Sequence, residues 1–465
     1  MNAPRLAIPL LAALAAAAAL SIFWLWHPEE TLTLRMPGTD LPPELQGAAT
    51  ENPVLAGKTI TGQGAAAILP GAWPGFRGPN RNAISPEQTQ LARSWPASGP
   101  RALWSVEVGE GYAGAAVLGG RVYVMDYERE NRQSVLRALS LANGKEIWRY
   151  GYPLSVKRNH GITRTVPAAT EKSVVAMDPK CNVVCVEAAT GALRWGINLV
   201  HDFGTTLPPW YAGQCPLIVD NAVVLAPGGP EVLLMAVDLA TGKALWKTPN
   251  PHGWKMTHSS VVAMEFAGKK MFVYCGSGGV VGISAQDGSI LWETTDWKIS
   301  IAMVCSPIPV ANGQIFFSGG YNAGSLMLQL SEEGGKIVPK TVFRVSQAVF
   351  GATQQTPILY KDRFFGVRPD AQLACIGLDG KPVWASGTTM KFGLGPLMLA
   401  DGLIYAMNDN GKLCLFEAST TKCVPLGEAE LFKDGNEAWG PMALAGGRLI
   451  VRDFTRMICL DVAAK

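Results

Sequence analysis

The sequence has few charged residues and little of the chemistry that marks common catalytic or metal sites. Only 17% of its 465 residues are charged, and the formal net charge is +3, with no basic tract. A nucleic-acid partner normally needs a clustered basic face, so nucleic-acid binding is not expected. No nucleophile elbow, phosphate loop or zinc signature occurs, and the five histidines show no metal-ligand spacing. The sequence therefore predicts no catalytic residues and no metal site.

Cysteine is absent before Cys181, which excludes lipid attachment at an N-terminal cysteine. The nine cysteines include no Cys-x-x-Cys and no adjacent pair. Several of them stand where equivalent stretches of the chain have Ala or Gly, as expected of cysteine used as a small buried apolar residue. Two local disulfide pairings remain as alternatives, Cys181/Cys185 and Cys414/Cys423. Because the number of cysteines is odd, at least one thiol is free or paired between chains.

The first thirty residues have the pattern of a membrane signal. Arg5 precedes an apolar run from Leu6 to Trp26, and acidic residues follow it. As a helix this run would rise about 31 Å, which spans the hydrocarbon core. The charge order places the rest of the chain outside the cytoplasm. A cleaved signal peptide is the alternative, but bulky residues 22–26 occupy the place of a cleavage site. We therefore expect a single-pass anchor in the cytoplasmic (inner) membrane over residues 1–30, with the rest of the chain in the periplasm or outside the cell.

Residues 31–72 show no hydrophobic period and are rich in Gly, Pro and other turn formers. This composition predicts a flexible linker between the anchor and a folded domain over residues 73–465.

The folded domain repeats a pattern in which a glycine stands four residues before a tryptophan. The pairs are Gly144/Trp148, Gly191/Trp195, Gly242/Trp246, Gly288/Trp292 and Gly380/Trp384. Successive tryptophans are 47, 51 and 46 residues apart, and the last interval of 92 hides one unit, with Val338 near its missing tryptophan. Such a period with strand-like content is typical of a β-propeller with four strands per blade. The glycine would permit the hairpin turn and the tryptophan would dock blades, which are structural roles.

A second signature is a proline that opens an apolar strand upstream of each glycine–tryptophan unit. These prolines are Pro167, Pro216, Pro307, Pro357, Pro396 and Pro441. Proline lacks an N–H group and suits the first residue of a strand. The two signatures interleave and predict an all-β, eight-bladed propeller. The predicted blades lie near 111–150, 161–197, 209–248, 256–294, 301–343, 351–386, 393–432 and 438–465.

The eighth unit stops before its outer strand. A strand at 101–108, which carries Trp104, lies ahead of the first unit. Pairing it with the last blade would close the ring and remove an open edge. Seven blades is the alternative, because the units near 325–343 and 414–432 are degenerate.

The repeat AVDLATGKALW, which ends at Trp246, resembles the pyrroloquinoline-quinone (PQQ) propeller repeat. Quinoprotein dehydrogenases and the propeller lipoprotein of the outer-membrane β-barrel assembly machinery share that repeat. The lead-in WPGFRGPNRNAISPE, from Trp73, is similar to bacterial PQQ-like propeller proteins with one N-terminal membrane segment. The resemblance covers residues 73–465 and implies a propeller in which the repeat Trp and Gly dock blades together. It is not specific for catalysis.

The resemblance to the dehydrogenases implies PQQ held with Ca²⁺ in a central funnel by carboxylate and Asn ligands. It also implies an Asp base, an Arg near the quinone oxygens and, typically, an adjacent Cys-Cys disulfide. A hard cation needs several oxygen ligands. This sequence lacks the adjacent cysteines and a c-type haem motif, and it is shorter than those enzymes. PQQ with Ca²⁺ is therefore an alternative, and no cofactor is required.

The mouth of the funnel should be built by the residues just before each inner strand. These residues are Glu110, Tyr112, Arg164, Tyr211, Gln214, His258, Gln354, Gln355, Lys391, Glu437 and Trp439. Two carboxylates are few for a metal site, whereas the cationic and amide side chains suit an anionic or polar ligand. The alternative is that they simply line a solvated channel. The candidate cofactor-binding residues are Arg164, Gln214, His258, Gln354, Lys391, Glu437 and Trp439.

Two functions of different classes follow. The first is a membrane-tethered, non-catalytic and monomeric propeller that holds a protein partner of the cell envelope by its top face and blade edges. The second is a PQQ-dependent alcohol or sugar dehydrogenase that passes electrons to a separate carrier. The missing ligands favour the first hypothesis, and the polar funnel supports the second. A third is a glycan-binding propeller in which Trp210, Trp254 and Trp439 stack on sugars.

Overall fold

The computed structural model describes residues 52–96 and 98–464. The regular secondary structure of these residues is almost all β-strand, with one short helix, α1 (Leu199–Phe203), and two 3₁₀ turns at Pro53–Ala56 and Ala311–Gly313. No helix in this part of the chain has the length and apolarity that a membrane crossing requires. The anchor predicted over residues 1–30 and the linker up to residue 51 lie outside the described residues.

The described residues contain 33 strands. The strands in the first part of the chain are β1 Lys58–Thr61, β2 Arg101–Glu107, β3 Ala116–Leu118, β4 Arg121–Glu128, β5 Gln133–Ser140, β6 Glu146–Pro153, β7 Ala168–Ala169, β8 Ser173–Met177, β9 Asn182–Glu187, β10 Leu193–Asn198, β11 Leu217–Val219, β12 Ala222–Leu225, β13 Val232–Asp238, β14 Ala244–Pro249, β15 Val262–Phe266, β16 Lys269–Gly276, β17 Gly279–Ser284 and β18 Ile290–Thr294. The strands that follow are β19 Ile308–Pro309, β20 Gln314–Gly319, β21 Gly324–Glu333, β22 Lys336–Val345, β23 Ile358–Tyr360, β24 Arg363–Val367, β25 Leu373–Gly377, β26 Pro382–Ala385, β27 Leu397–Ala400, β28 Leu403–Met407, β29 Lys412–Glu417, β30 Pro425–Glu430, β31 Ala443–Ala445, β32 Arg448–Arg452 and β33 Arg456–Asp461.

The strands form eight antiparallel sheets, one for each blade. Blades 1 to 7 take four consecutive strands each from β3 onward, and blade 8 combines β31–β33 with β2. The prediction of eight blades is therefore confirmed, and the seven-bladed alternative is wrong. The middle strands of the blades, such as β8 and β9, are buried at nearly every position, as expected for sheets packed against neighbours on either side. Five of the six prolines of the second signature directly precede an inner strand, and Pro441 lies two residues before β31.

The ring closes where β2 pairs with β33, as the sequence predicts. Trp104 faces Cys459 in this pairing. The buried guanidinium of Arg452 reinforces the closure, because it donates to the backbone oxygens of Gly109 at 3.0 Å and Ala113 at 3.1 Å, which follow β2. It also donates to Phe454 O at 2.9 Å. One side chain of the last blade thus binds the segment that joins the N-terminal strand to the first blade.

Neighbouring blades contact each other through the repeat tryptophans and glycines. The indole N–H of Trp148 in blade 1 donates to Ala188 O of blade 2 at 3.1 Å. Its ring lies against Gly191, whose φ of 73° places the turn in the left-handed region. A Cβ at Gly191 would come within 2.5 Å of that ring. The same tryptophan-on-glycine contact joins Trp104 to Gly144, Trp195 to Gly242 and Trp246 to Gly288.

The later blades vary this contact. In the fifth blade, which has no tryptophan in its repeat, Phe343 lies against Gly380, so Phe343 rather than Val338 replaces the tryptophan. The indole of Trp384 donates to Ser419 O at 3.0 Å, in the next blade. Trp292 instead donates to Met271 Sδ of its own blade at 3.4 Å. Blade 5 contains the two longest strands, β21 and β22, and its repeat is for that reason hard to recognise in the sequence.

The structured chain begins well before residue 73. A 3₁₀ turn at Pro53–Ala56 follows a side-chain cap from Asn52, and β1 adds antiparallel to β6 as a fifth strand of blade 1. The hydroxyl of Tyr150 donates to Val54 O at 2.6 Å. The composition of these residues predicts a flexible linker instead. All four residues of β1 are exposed, so this strand has no alternation of apolar and polar residues that would predict it.

The nine cysteines are all free thiols, and only Cys423 is not fully buried. Neither Cys181/Cys185 nor Cys414/Cys423 is bonded. Burial raises the pKa of Cys185 to about 12 and that of Cys215 to about 11. These thiols are therefore protonated and unreactive at neutral pH, as expected of cysteines used as small core residues.

Candidate functional site

The segment after β1 runs into the centre of the ring and contacts blades on opposite sides of it. We call residues 73–85 the plug. Trp73 pairs with Val117 of blade 1, and Ile84 pairs with Leu399 of blade 7. Arg81 donates to Ile218 O of blade 3. The plug therefore crosses the central channel and closes it on one side.

The buried side chain of Arg77 fixes the plug. Its guanidinium donates to Thr356 O at 2.6 Å and Pro357 O at 2.9 Å in blade 6. It also donates to two backbone oxygens of the plug itself, Arg81 O at 3.2 Å and Asn82 O at 3.1 Å. Burial lowers the pKa of Arg77 to about 10, which leaves it protonated at neutral pH. Its donors are used by backbone oxygens, so Arg77 has a structural role.

Beside the plug lies a cavity of about 350 Å³. Most of its wall comes from the residues just before the inner strands, as the sequence analysis expects. The lining residues in the blades include Tyr112, Arg164, Cys215, His258, Ala302, Val304, Gln354, Gln355, Leu394, Trp439 and Met442. The loops and the plug add His160, Trp210, Tyr321, Trp73, Phe76, Arg77 and Ala83. The wall is mostly apolar and aromatic, with two arginines and without a lining carboxylate.

Arg164 is the cationic group of this wall that does not belong to the plug. Its guanidinium lies over the ring of Tyr112, 5.4 Å from the ring centre. Burial lowers the pKa of Arg164 to about 10, so the side chain still carries its charge at neutral pH. Its hydrogen bonds are long, to Ile162 O at 3.3 Å and Asn159 O at 3.4 Å.

His258 stands beside Arg164 in the same wall. Its Nε2 lies 3.0 Å from Tyr211 O, so Nε2 carries the hydrogen and the other ring nitrogen is an acceptor. Burial, together with the charge of Arg164, lowers the pKa of His258 to about 4. The ring is therefore neutral at physiological pH. Trp210 packs near it, with the ring centres 6.3 Å apart.

Two carboxylates approach the cavity, but both serve its aromatic side chains. Glu437 accepts the hydroxyl hydrogen of Tyr112, and burial together with this bond raises the pKa of that tyrosine. Asp409 accepts from the indole of Trp439 at 2.7 Å and from Leu394 N at 2.8 Å. The rings of Tyr112 and Trp439 are 5.0 Å apart. The carboxylates therefore position two aromatic rings in the wall.

Three of the predicted site residues, Gln214, Lys391 and Glu437, lie outside the lining. The amide of Gln214 is fully buried and bonds both backbone groups of Ala226, at 3.3 and 2.9 Å. This amide therefore stabilises the backbone of blade 3 and does not face a ligand. Lys391 is exposed, and its ammonium group donates to Asp370 O at 3.0 Å. The remaining candidates, Arg164, His258, Gln354 and Trp439, line the cavity, and Glu437 supports Tyr112 from behind.

Several residues of the site have no counterpart in the predicted funnel. The clearest are Trp73, Phe76 and Arg77 of the plug, together with Tyr321. The plug sequence has no strand period, but its density of aromatic, arginine, glycine and proline residues distinguishes it from the linker. Of the three tryptophans considered for sugar stacking, Trp210 and Trp439 line the cavity, whereas Trp254 is buried against the glycines of the β16–β17 turn.

The side chains at this site do not fit the Ca²⁺ of a quinoprotein dehydrogenase. Ca²⁺ takes about six to eight oxygen ligands, with carboxylates prominent among them. Residues 52–96 and 98–464 contain no cluster of three or more His, Cys, Asp or Glu side chains that could hold a metal. The two carboxylates near the cavity accept hydrogen bonds from Tyr112 and Trp439. Arg164 adds a positive charge, which disfavours a cation. The wall is suited to an anion or an aromatic group instead.

The fold and the site define a class of protein, an eight-bladed propeller with a plugged centre and a cationic, aromatic cavity. The sequence model of one protein family, described as outer membrane protein assembly factor BamB, matches residues 74–206 and 131–379. This chain belongs to that PQQ-repeat family. No curated protein matches its sequence.

Solved structures share the architecture at low sequence identity. BamB from Moraxella catarrhalis is 13% identical, with a TM-score of 0.53 over 78% of this chain and 99% of that one. The computationally designed Ika8 protein is 11% identical, with a TM-score of 0.52 over 78% of this chain and 100% of that one. A europium-containing methanol dehydrogenase is 13% identical, with a TM-score of 0.49 over 82% and 89%. At these identities the likeness to the first two shows the fold alone.

Proposed function

We propose that this chain is a non-catalytic binding propeller that holds a protein partner in the cell envelope. The family it belongs to is described as an assembly factor for outer membrane proteins, which supports a protein-binding role. The observation that carries the proposal is the wall of the central cavity. It presents arginine and aromatic side chains, and the nearby carboxylates are engaged with Tyr112 and Trp439. A catalytic metal and quinone would need those carboxylates as ligands.

The proposed binding face is the side of the ring on which the cavity opens. Ile301, which precedes the lining residue Ala302, is 56% exposed, and the lining residue Tyr321 is 38% exposed. Exposed apolar groups around a pocket are typical of a surface that a partner covers. The loops at 150–160 and 201–213 lie on rigid blades, as binding loops commonly do.

The location of the protein is part of the same proposal. The apolar run over residues 6–26 would tether the propeller to the cytoplasmic membrane, with the blades in the periplasm or outside the cell. The linker would hold the propeller away from the bilayer, and the propeller would act as a monomer.

Site-specific photocrosslinking in intact cells tests the proposed face. A photoreactive residue at position 301 of the full chain should yield one discrete adduct with an envelope protein, identified by mass spectrometry. The matched control is Val383 on β26, which is 37% exposed on an outer strand. The proposal predicts no adduct from position 383. Equal adducts from both positions, or none from position 301, would contradict it.

The second candidate is a PQQ-dependent alcohol or sugar dehydrogenase. The aromatic cavity and Arg164 favour it, because a planar anionic cofactor could stack and pair there. The donor set for Ca²⁺ does not fit, so we derive no catalytic step for this chain.

A further inference from the structure

Arg164 differs from Arg77 and Arg452 in how its guanidinium hydrogens are used. Arg77 and Arg452 each donate four hydrogen bonds of 2.6–3.2 Å to backbone oxygens. Arg164 has two, at 3.3 and 3.4 Å, and forms no ion pair with any carboxylate in the described part of the chain. Its side chain is half-buried in the cavity wall. Its remaining donors are therefore open to an acceptor that enters the cavity.

The same cavity has an unused acceptor. The ε2 nitrogen of neutral His258 carries the hydrogen that binds Tyr211 O, and its δ1 nitrogen has no partner among the described residues. The ring lines the cavity, so a hydroxyl or N–H group on a ligand can donate to that nitrogen.

The walls between these polar groups are aromatic. Tyr112 and Trp439 present tilted rings 5.0 Å apart, and Trp210 stands beside His258. The volume of about 350 Å³ falls at the small end of the range for ligand pockets. It matches a molecule with one or two fused rings. Arg77 uses its donors on backbone oxygens of the plug and of blade 6, so the cavity offers one guanidinium and hence accommodates one carboxylate.

We propose that the central cavity binds a small aromatic monocarboxylate that carries a ring hydroxyl or N–H group. Arg164 donates to the carboxylate, the rings of Tyr112 and Trp439 pack on the aromatic system, and the δ1 nitrogen of His258 accepts from the ring donor. Buried in an apolar wall, this charge-assisted pair is stronger than at the surface. The inference goes beyond the protein-binding role and stands without it.

Isothermal titration of the full-length protein in detergent tests this site. The probe is 6-hydroxy-2-naphthoate, and its neutral isostere is 6-hydroxy-2-naphthamide. The acid should bind at one site per chain, at least about tenfold more tightly than the amide. Arg164→Gln should weaken the acid by about ten- to hundredfold and leave the amide unchanged. The matched control is Arg93→Gln, which removes an exposed arginine paired with Asp401 at 3.1 Å and should change neither.

Three outcomes would overturn the inference. They are equal affinities of the acid and the amide for the wild-type protein, no saturable binding of the acid at millimolar concentration, and equal losses in Arg164→Gln and Arg93→Gln. Should Arg164→Gln fail to fold, the comparison of acid with amide on the wild-type protein decides by itself.

Discussion

At the scale of single residues, the arginines in the interior of this protein fall into two groups, according to what accepts their hydrogen bonds. Arg77 and Arg452 are held by backbone oxygens and fix parts of the chain to each other. Arg164 lies over Tyr112 with long hydrogen bonds and faces the cavity. Arg164 is predictable from the sequence because it precedes an inner strand. The same position predicts Gln214, although that amide bonds Ala226 of its own blade.

The ring of His258 should make the stability of the protein depend on pH. Its pKa of about 4 in the folded protein lies below the value of about 6.5 for an unfolded histidine. The unfolded chain therefore binds the proton first as the pH falls. The stabilisation is present above pH 6.5 and is lost between pH 6.5 and 4. We expect a loss on the order of 2 kcal/mol, because the ring is partly solvated.

Denaturant unfolding at pH 7.5 and pH 4.5 measures this contribution. His258→Gln keeps a donor toward Tyr211 O. Between pH 7.5 and pH 4.5 its free energy of unfolding should fall by about 2 kcal/mol less than that of the wild-type protein. Between pH 7 and 8 the two proteins should show the same slope. Equal losses at acid pH would mean that His258 is already charged in the folded state.

At the scale of the element, the unit that repeats is a tryptophan of one blade seated on the turn glycine of the next. The turn needs a left-handed residue, and the ring needs a surface without a Cβ. Both requirements fall on the same glycine, which explains why glycine and tryptophan recur at a fixed spacing. A sequence can show this pattern because each partner lies at a defined place in its own strand or turn.

Gly191→Ala tests the contact between blades 1 and 2. The new methyl group would strain the left-handed turn, at a cost of about 1 kcal/mol, and would also meet the ring of Trp148. We expect a total loss of about 3 kcal/mol in the free energy of unfolding. Gly268→Ala is the matched control, because its φ is 71° and nothing lies within 4 Å of a Cβ there. Chemical denaturation of both variants separates the cost of backbone strain from the cost of the contact with the ring. Equal losses in the free energy of unfolding would show that the contact with the ring contributes nothing.

At the scale of the whole molecule, the sequence predicts the ring better than it predicts its centre and its edge. Eight blades and the closing strand follow from local patterns, because each blade repeats the same alternation and the same turns. The plug around Arg77 and the added strand β1 follow from contacts between distant parts of the chain. Arg77, for example, reaches Thr356, 279 residues away. No local period records such a contact, so these parts emerge only in the structure.

The closure of the ring depends on Arg452. Arg452→Met would leave the backbone oxygens of Gly109 and Ala113 without their donor and loosen the segment between β2 and β3. We expect a loss of about 3–5 kcal/mol in the free energy of unfolding. Arg93→Met removes an exposed ion pair with Asp401 and should cost less than about 1 kcal/mol. Similar thermal shifts for the two variants would argue against a role for Arg452 in closing the ring.

The most direct test of the central claim, that the propeller binds rather than catalyses, is a titration of the full-length protein with PQQ in the presence and absence of Ca²⁺. Tryptophan fluorescence reports on the cavity, since Trp439 and Trp210 line it. The account predicts no Ca²⁺-dependent quenching, because the carboxylates near the cavity are bonded to Tyr112 and Trp439. Saturable quenching at micromolar PQQ that requires Ca²⁺ and is lost in Glu437→Ala would contradict it and establish the site as that of a quinoprotein.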